Sequence, residues 1–312
     1  MLLSGLLAAS VSAAPMGAAC SAGEAAVLDA AAAIERQYVI AAEAPRISAD
    51  LRLRVKSGAY RPVCHDPDAL VARVNRDLDV HDGHFHFERL GASKTGQEDW
   101  LMAWRSGSGP ANAGVREVRV LEGNVGYLRL SSFYPWDLAR PKLSAAIALL
   151  GDVDGLVLDL RQNGGGDAAT AGQLVRALVG NEIWGVQDIE RRSGRTHEPL
   201  PDPELPLTLA GRPIAVLIDR RSASASEFVA YSLQAAGRAT VVGDRSAGVA
   251  HIFGEPVRLR GGYGLTIPDA RPVNRITGAN WEGSGARPDL PGGDDPVFVA
   301  RQRLAEAVRA QR

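Results

Sequence analysis

The chain has 312 residues, of which 46% are hydrophobic and 23% charged, and its net charge is −1. That length suits about two domains with buried cores, and the composition is that of an ordinary globular protein. The near-neutral balance excludes a basic nucleic-acid-binding chain and an acidic solvating one. Lys and Arg together number 35, of which only Lys56, Lys94 and Lys142 are lysines, leaving 32 arginines and no lysine in the last 170 residues. Such a bias is first a coding habit of GC-rich genomes. It nevertheless confines any lysine-based chemistry to three positions.

Residues Leu2 to Ala14 form a short apolar run that ends in small residues. Residues 1–14 read as a secretory signal peptide, although the first Arg or Lys is Arg36 and a basic start is missing. The run is too short to span a bilayer and no other 18-residue apolar stretch follows, so no integral membrane span is expected. Export to the periplasm or outside the cell is the expectation, with a cytoplasmic location left open. Cys20 follows Gly17-Ala18-Ala19, a faint match to a lipid-attachment site that lacks the large aliphatic residue. In an exported chain Cys20 and Cys64 would form one disulfide; otherwise they are two buried thiols. No Cys/His cluster has zinc-ligand spacing, so no metal and no other cofactor is expected.

Residues 21–80 read as a small helical region: an Ala-rich helix over Ala25–Tyr38, a second capped by Ser48 or Asp50, and a third over Pro67–Leu78. Val80 to Phe87 alternates His and Phe and reads as a strand with its turn, opening a strand and hairpin segment over 81–125. The stretch 91–115 reads as hairpin and loop. From residue 126 to 312 the pattern becomes strand, helix, strand: strands at Val125–Leu130, Gly155–Arg161, Pro213–Ile218 and Thr240–Gly243, with helices at Arg140–Leu150, Ala168–Leu178, Ala225–Ala236 and Val297–Arg309. That alternation, with continuous apolar strands, predicts an α/β layered fold whose parallel sheet is covered on both faces. There is no internal repeat.

Two motifs carry chemistry. The strand ending at Ile218 runs through Asp219-Arg220-Arg221 into Ser222-Ala223-Ser224-Ala225-Ser226-Glu227 and a helix. A helix N-terminus offers unpaired N–H groups and the positive end of the dipole, so a serine there can be exposed for attack beside an N–H able to hold an oxyanion. A serine in this place is also a common N-cap. The second motif is Asp159-Leu160-Arg161-Gln162-Asn163-Gly164-Gly165-Gly166, where glycines after a buried strand let backbone approach a ligand. It lacks the Gly-Lys-Ser/Thr ending and the dinucleotide spacing, which counts against nucleotide binding.

These strings, with Gly126 to Phe133, Gly243-Asp244-Arg245-Ser246-Ala247-Gly248 and Gly285-Ala286-Arg287-Pro288-Asp289, resemble the tail-specific, or C-terminal processing, serine peptidase family S41, in order, over about residues 80–290. The resemblance implies a layered β/α core of the crotonase and Clp-protease type behind the small N-terminal helical region. In the commoner branch a lysine follows the glycine matching Gly248 and serves as base. Here that residue is Val249, which cannot take a proton, so a Ser/Lys dyad is excluded. That branch also inserts a PDZ domain, for which the stretch from His84 to Gly126 is too short.

The other branch resembles the C-terminal half of the tricorn core protease and the interphotoreceptor retinoid-binding protein modules. Its histidine lies in an Asp-x-His stretch, matched by Asp82-Gly83-His84, and its carboxylate is matched by Glu282. The resemblance implies Ser224 as nucleophile, His84 as general base and Glu282 as orienting acid. It implies an oxyanion hole made by the N–H of Ala225 with that of Gly165, or else Gly164. Gly83 stands where the tricorn-type site has a relaying serine, and His81, His86 and His251 are rival bases. The expected activity is polypeptide cleavage through an acyl-enzyme. The alternatives are a non-catalytic module for a hydrophobic ligand or peptide, and an esterase or amidase with the same three residues. The oligomeric state is not readable.

Overall fold

The computed structural model describes residues 16–91, 102–181 and 185–311. The expected signal segment lies outside these, as does part of the 91–115 stretch. The chain divides into two compact units, one made of residues up to 93 with Phe253–Asp269, the other of residues 94–252 with 270–312.

The first unit is built on three helices, Met16–Gln37, Ala44–Lys56 and Pro67–Asp79. The first starts earlier than the sequence indicates: Ala18, Ala19 and Ala22 are strong helix formers that offset Gly17 and Gly23, and no proline follows Met16 within it. It buries Ala26, Val27, Ala30, Ala31 and Ile34, an i, i+3, i+4 stripe. The second helix also starts before the expected cap: Pro45 occupies its first turn, a position that needs no N–H. Ser48 instead lies inside the helix and its hydroxyl reaches Glu35. The third helix is capped by Asp66, which accepts from the N–H groups of Asp68 and Ala69.

The helices pack on a three-stranded antiparallel sheet of His86–Arg89, Tyr263–Thr266 and Val257–Leu259, with Phe85, Phe87, Tyr263 and Leu265 in the shared core. The strand expected from Val80 begins only at His86. Residues 80–85 turn instead, because the Asp82 carboxylate accepts the N–H of His84 two residues on, a local bond that competes with a sheet ladder. Cys20 and Cys64 are joined by a disulfide.

The second unit holds a six-stranded sheet in the order Leu290–Pro291, Ala239–Gly243, Ile214–Ile218, Gly155–Asp159, Val125–Leu130, Val115–Leu121. The first five run parallel, and Val115–Leu121 closes the edge as an antiparallel hairpin partner of Val125–Leu130. Gly155–Asp159 and Ile214–Ile218 are buried at every residue. Alternate residues go to opposite faces. Leu156, Leu158, Val216 and Ile218 join the core under helices Trp136–Leu149, Ala168–Val179 and Ala225–Ala235. Val157, Ala215 and Leu217 join the core under helix Pro296–Gln311. Each fully buried aliphatic side chain contributes roughly 1.5–3 kcal/mol, so a sheet covered on both faces is the stable answer to these continuous apolar runs.

The α/β architecture with N-terminal helices is thus the one the sequence indicates. The sequence does not show the hairpin of Gln187–Arg191 and Gly194–Glu198, which pairs through its first strand with Ala270–Asn274. Its alternation is diluted by Gly, Ser and charge, and its second strand is exposed throughout. No helix of the described residues is long and apolar enough to cross a membrane.

Candidate active site

The carboxyl ends of the two central parallel strands, Asp159 and Ile218, deliver the two chemical motifs side by side, where α/β sheets bind ligands. Three serines follow Ile218, and their surroundings separate them. Ser222 is fully buried and its hydroxyl donates to Leu160 O at 2.8 Å. Ser226 is fully buried and its hydroxyl donates to Asn163 O at 2.8 Å. Ser224 is exposed, at the N-cap of helix Ala225–Ala235. Its backbone has φ 54° and ψ −117°, a conformation that costs a non-glycine residue about 1–3 kcal/mol and marks the sharp strand-to-helix turn on which nucleophiles are displayed.

The glycine loop packs against this turn. Asn163 is the joint: its carbonyl accepts from Ala223 N–H at 3.0 Å as well as from Ser226, and its side-chain amide donates to Leu130 O. Gly165 has φ 100°, and a Cβ there would lie 2.8 Å from Ser224 Cβ and 2.9 Å from Ala225 N. Only glycine allows that approach. The N–H of Gly165 donates to Asn163 Oδ1 at 2.9 Å, whereas Gly164 is exposed with open space around its Cβ position. Below the loop, Asp159 is fully buried and receives Tyr127 Oη at 2.7 Å and three bonds from Arg161, one from its backbone N–H and two from its guanidinium. Burial disfavours its charge, but the Arg161 and Tyr127 bonds outweigh burial and hold the carboxyl below its ordinary value.

Glu227 is the second joint, and sequence reading misses it. It is fully buried, and its two carboxylate oxygens accept from Ser224 N–H, Ser246 Oγ, Gly248 N–H and Val249 N–H at 2.6–2.8 Å. Burial raises its carboxyl above the ordinary value, against the pull of those bonds. The pattern Ser-x-x-Glu before a helix is a capping-box signature and shows only the bond to Ser224.

Ser224 and Ala225 open onto a cavity of about 370 Å³. Its walls are largely apolar and include Ala168, Gly172, Leu200, Phe228, Val249 and Trp281. Val249, at the lysine position of the commoner branch, lines this cavity and donates its N–H to Glu227. Glu282 Oε2 accepts from Ala250 N–H at 2.7 Å and His251 N–H at 2.9 Å, and lies 4.0 Å from His251 Nδ1.

His84 belongs to the first unit. Its Nδ1 stands 2.7 Å from Asp82 Oδ1, the same oxygen that accepts its own backbone N–H at 2.9 Å. The other oxygen of Asp82 accepts from Tyr38 Oη at 3.1 Å. Asp82 is buried, so this chain fixes the ring in one orientation. Of the rival bases, His86 is exposed and His81 is turned toward Asp50 at 3.5 Å. The structure therefore brings together Ser224, Ala225 and Gly165, adds Asn163 and Glu227 behind them, and gives His84 a carboxylate from within its own turn.

The sequence matches peptidase family S41 over residues 124–291. A chloroplastic C-terminal processing peptidase of Tetradesmus obliquus is 28% identical over 173 residues, 53% of this chain and 34% of its own length. The Bacillus subtilis carboxy-terminal processing protease CtpB is 30% identical over 141 residues, 42% of this chain and 27% of its own length. The chain thus spans about a third of the length of these curated relatives. Among solved structures, a Streptococcus agalactiae lipoprotein shares the fold at a TM-score of 0.63 and 16% identity, covering 91% of this chain and 96% of the other. With more than half of its residues, and every motif around Ser224, inside the matched region, the chain belongs to peptidase family S41, a family of serine-type hydrolases.

Proposed function

We propose that the protein is a serine peptidase that cleaves polypeptides through an acyl-enzyme, with Ser224 as nucleophile and His84 as general base. The observation that carries this reading is the exposed Ser224 on a strained strand-to-helix turn, against a glycine loop and beside an apolar cavity. Ser224 Oγ attacks the scissile carbonyl carbon as His84 takes its proton. The tetrahedral oxyanion is held by Ala225 N–H together with Gly165 or Gly164 N–H. The histidine then protonates the departing amine, and water, deprotonated by the same ring, releases the acid and restores Ser224. Because the N–H of Gly165 is engaged by Asn163 Oδ1, Gly164 has the stronger claim on the second donor role. The cavity walls favour an apolar substrate side chain next to the scissile bond.

The acid that orients His84 has two candidates. Glu282 is the one the family resemblance implies. Asp82 is the one favoured by a specific contact, 2.7 Å to His84 Nδ1. The Cys20–Cys64 disulfide supports residence in an oxidising compartment, in keeping with export.

Ser224→Ala tests the reading. Hydrolysis of a denatured protein is expected to fall at least about 10⁴-fold, and a fluorophosphonate probe is expected to label the wild type at Ser224 only. Hydrolysis by Ser224→Ala at the wild-type rate would sink the proposal. Absence of labelling, with retained binding of apolar ligands, would favour a non-catalytic module.

A further inference from the structure

Glu227 is a buried charged group that the reaction above leaves without a task. A helix cap needs only one of its bonds, that from Ser224 N–H. The other three donors lie about twenty residues further along, at Ser246, Gly248 and Val249. Ser246 Oγ accepts from Ala286 N–H at 2.6 Å, so its own proton is free to point at Glu227. All four groups are therefore donors, and the arrangement matches an ionised carboxylate, which accepts on both oxygens and donates nothing.

We infer that Glu227 is a positioning residue for the peptidase reaction: as an anion it holds Ser224 in its strained, attack-ready turn. Through the same two oxygens it ties that turn to the Ser246–Val249 segment. The inference rests on the reading of Ser224 as nucleophile. The competing state is close at hand. A serine released from φ 54° would relax to the extended backbone of an ordinary N-cap. In that state Ser224 is no longer displayed on the sharp turn, and the adjoining Ala225 N–H no longer points where an oxyanion forms. The carboxylate stabilises the turn by accepting the Ser224 N–H.

The test follows fluorophosphonate labelling of Ser224 in the full chain. Glu227→Gln keeps the shape but places an amide N–H₂ against two of the four donors. Its labelling rate is expected to fall roughly 10- to 100-fold, the range that control over a strained backbone commands. Binding of an apolar peptide, measured in the Ser224→Ala background, is expected to stay within about twofold on adding Glu227→Gln, because the cavity side chains are unchanged. Equal labelling rates overturn the inference. So does a parallel loss of labelling and peptide binding, which would show a purely structural role. A wild type that is not labelled sinks the reading of Ser224 instead. Should Glu227→Gln fail to fold, Ser246→Ala removes one donor: labelling about tenfold slower or more is expected, in keeping with one hydrogen bond to a charged group, and an unchanged rate overturns the inference.

Discussion

The two turns that present the candidate catalytic side chains are built in opposite ways. His84 is held by a neighbour two positions away, since Asp82 accepts both its backbone N–H and its ring nitrogen. Ser224 is held by residues scattered along its unit: Asn163 and Gly165 some sixty positions upstream, Glu227 at three positions, and Ser246 to Val249 some twenty positions downstream. The first device is local and depends on one carboxylate. The second is shared, and glycine makes its tightest contact. A shared device can place a backbone in a strained conformation, because several bonds resist relaxation at once. A local one fixes a side chain's tautomer and direction at little cost in sequence, but one substitution removes it.

That difference can be broken from the histidine side first. Asp82→Asn removes the anionic partner of Nδ1 and is expected to lower kcat/KM by about 10³-fold or more. Glu282→Gln is expected to cost less than about tenfold, as one hydrogen-bonding group among several. The two variants are compared by steady-state hydrolysis of one peptide; the reverse order would make Glu282 the orienting acid.

The serine side breaks next. Gly165→Ala drives a Cβ to 2.8 Å from Ser224 Cβ and 2.9 Å from Ala225 N. Labelling of Ser224 is expected to slow about 10²-fold, comparable to losing an oxyanion donor. Gly164→Ala meets nothing within 4 Å and provides the contrast, with little change expected in fold or labelling. Equal losses in the two variants would show that the close approach of the loop is not what matters.

The smallest expected effect is on stability. Asp159 lies under the glycine loop with its charge held by Arg161 and Tyr127. Because its folded carboxyl sits below the ordinary value, its contribution is complete above about pH 4 and is lost as pH falls through the lower folded value. Asp159→Asn is expected to cost about 2 kcal/mol at neutral pH, less than a fully enclosed pair because Arg161 is partly exposed. Denaturant unfolding at pH 7 and at pH 3 should show the gap between variant and wild type narrowing in acid. A gap independent of pH would mean that packing, not charge, sets the cost.

Much of this was legible in the sequence because it repeats a short-range rule. Gly155–Asp159 and Ile214–Ile218 are apolar without interruption, which only a sheet covered on both faces accommodates. The absence of lysine after Lys142 removed one chemistry before any geometry was known. The preference for Ser224 over Ser222 and Ser226 rests on the family resemblance, whose serine lies three positions before the glutamate. Its physical basis, two neighbours whose hydroxyls are buried on Leu160 O and Asn163 O, appears only when the two loops are side by side.

The rest could not be read from the chain alone, for a common reason. A buried polar group must find a partner, and the partner is whatever the fold brings near, at any sequence distance. That rule spends the Gly165 N–H on Asn163 and gathers four donors on Glu227. It also makes a turn at Asp82 where the alternation of His and Phe promised a strand. The sequence by itself determined the layers, the strand-to-helix turns and the residue types available for chemistry. The tertiary structure decided which hydroxyl stays exposed and which amides and carboxylates are already engaged, because hydrogen-bond satisfaction is settled by the whole fold rather than by neighbours along the chain.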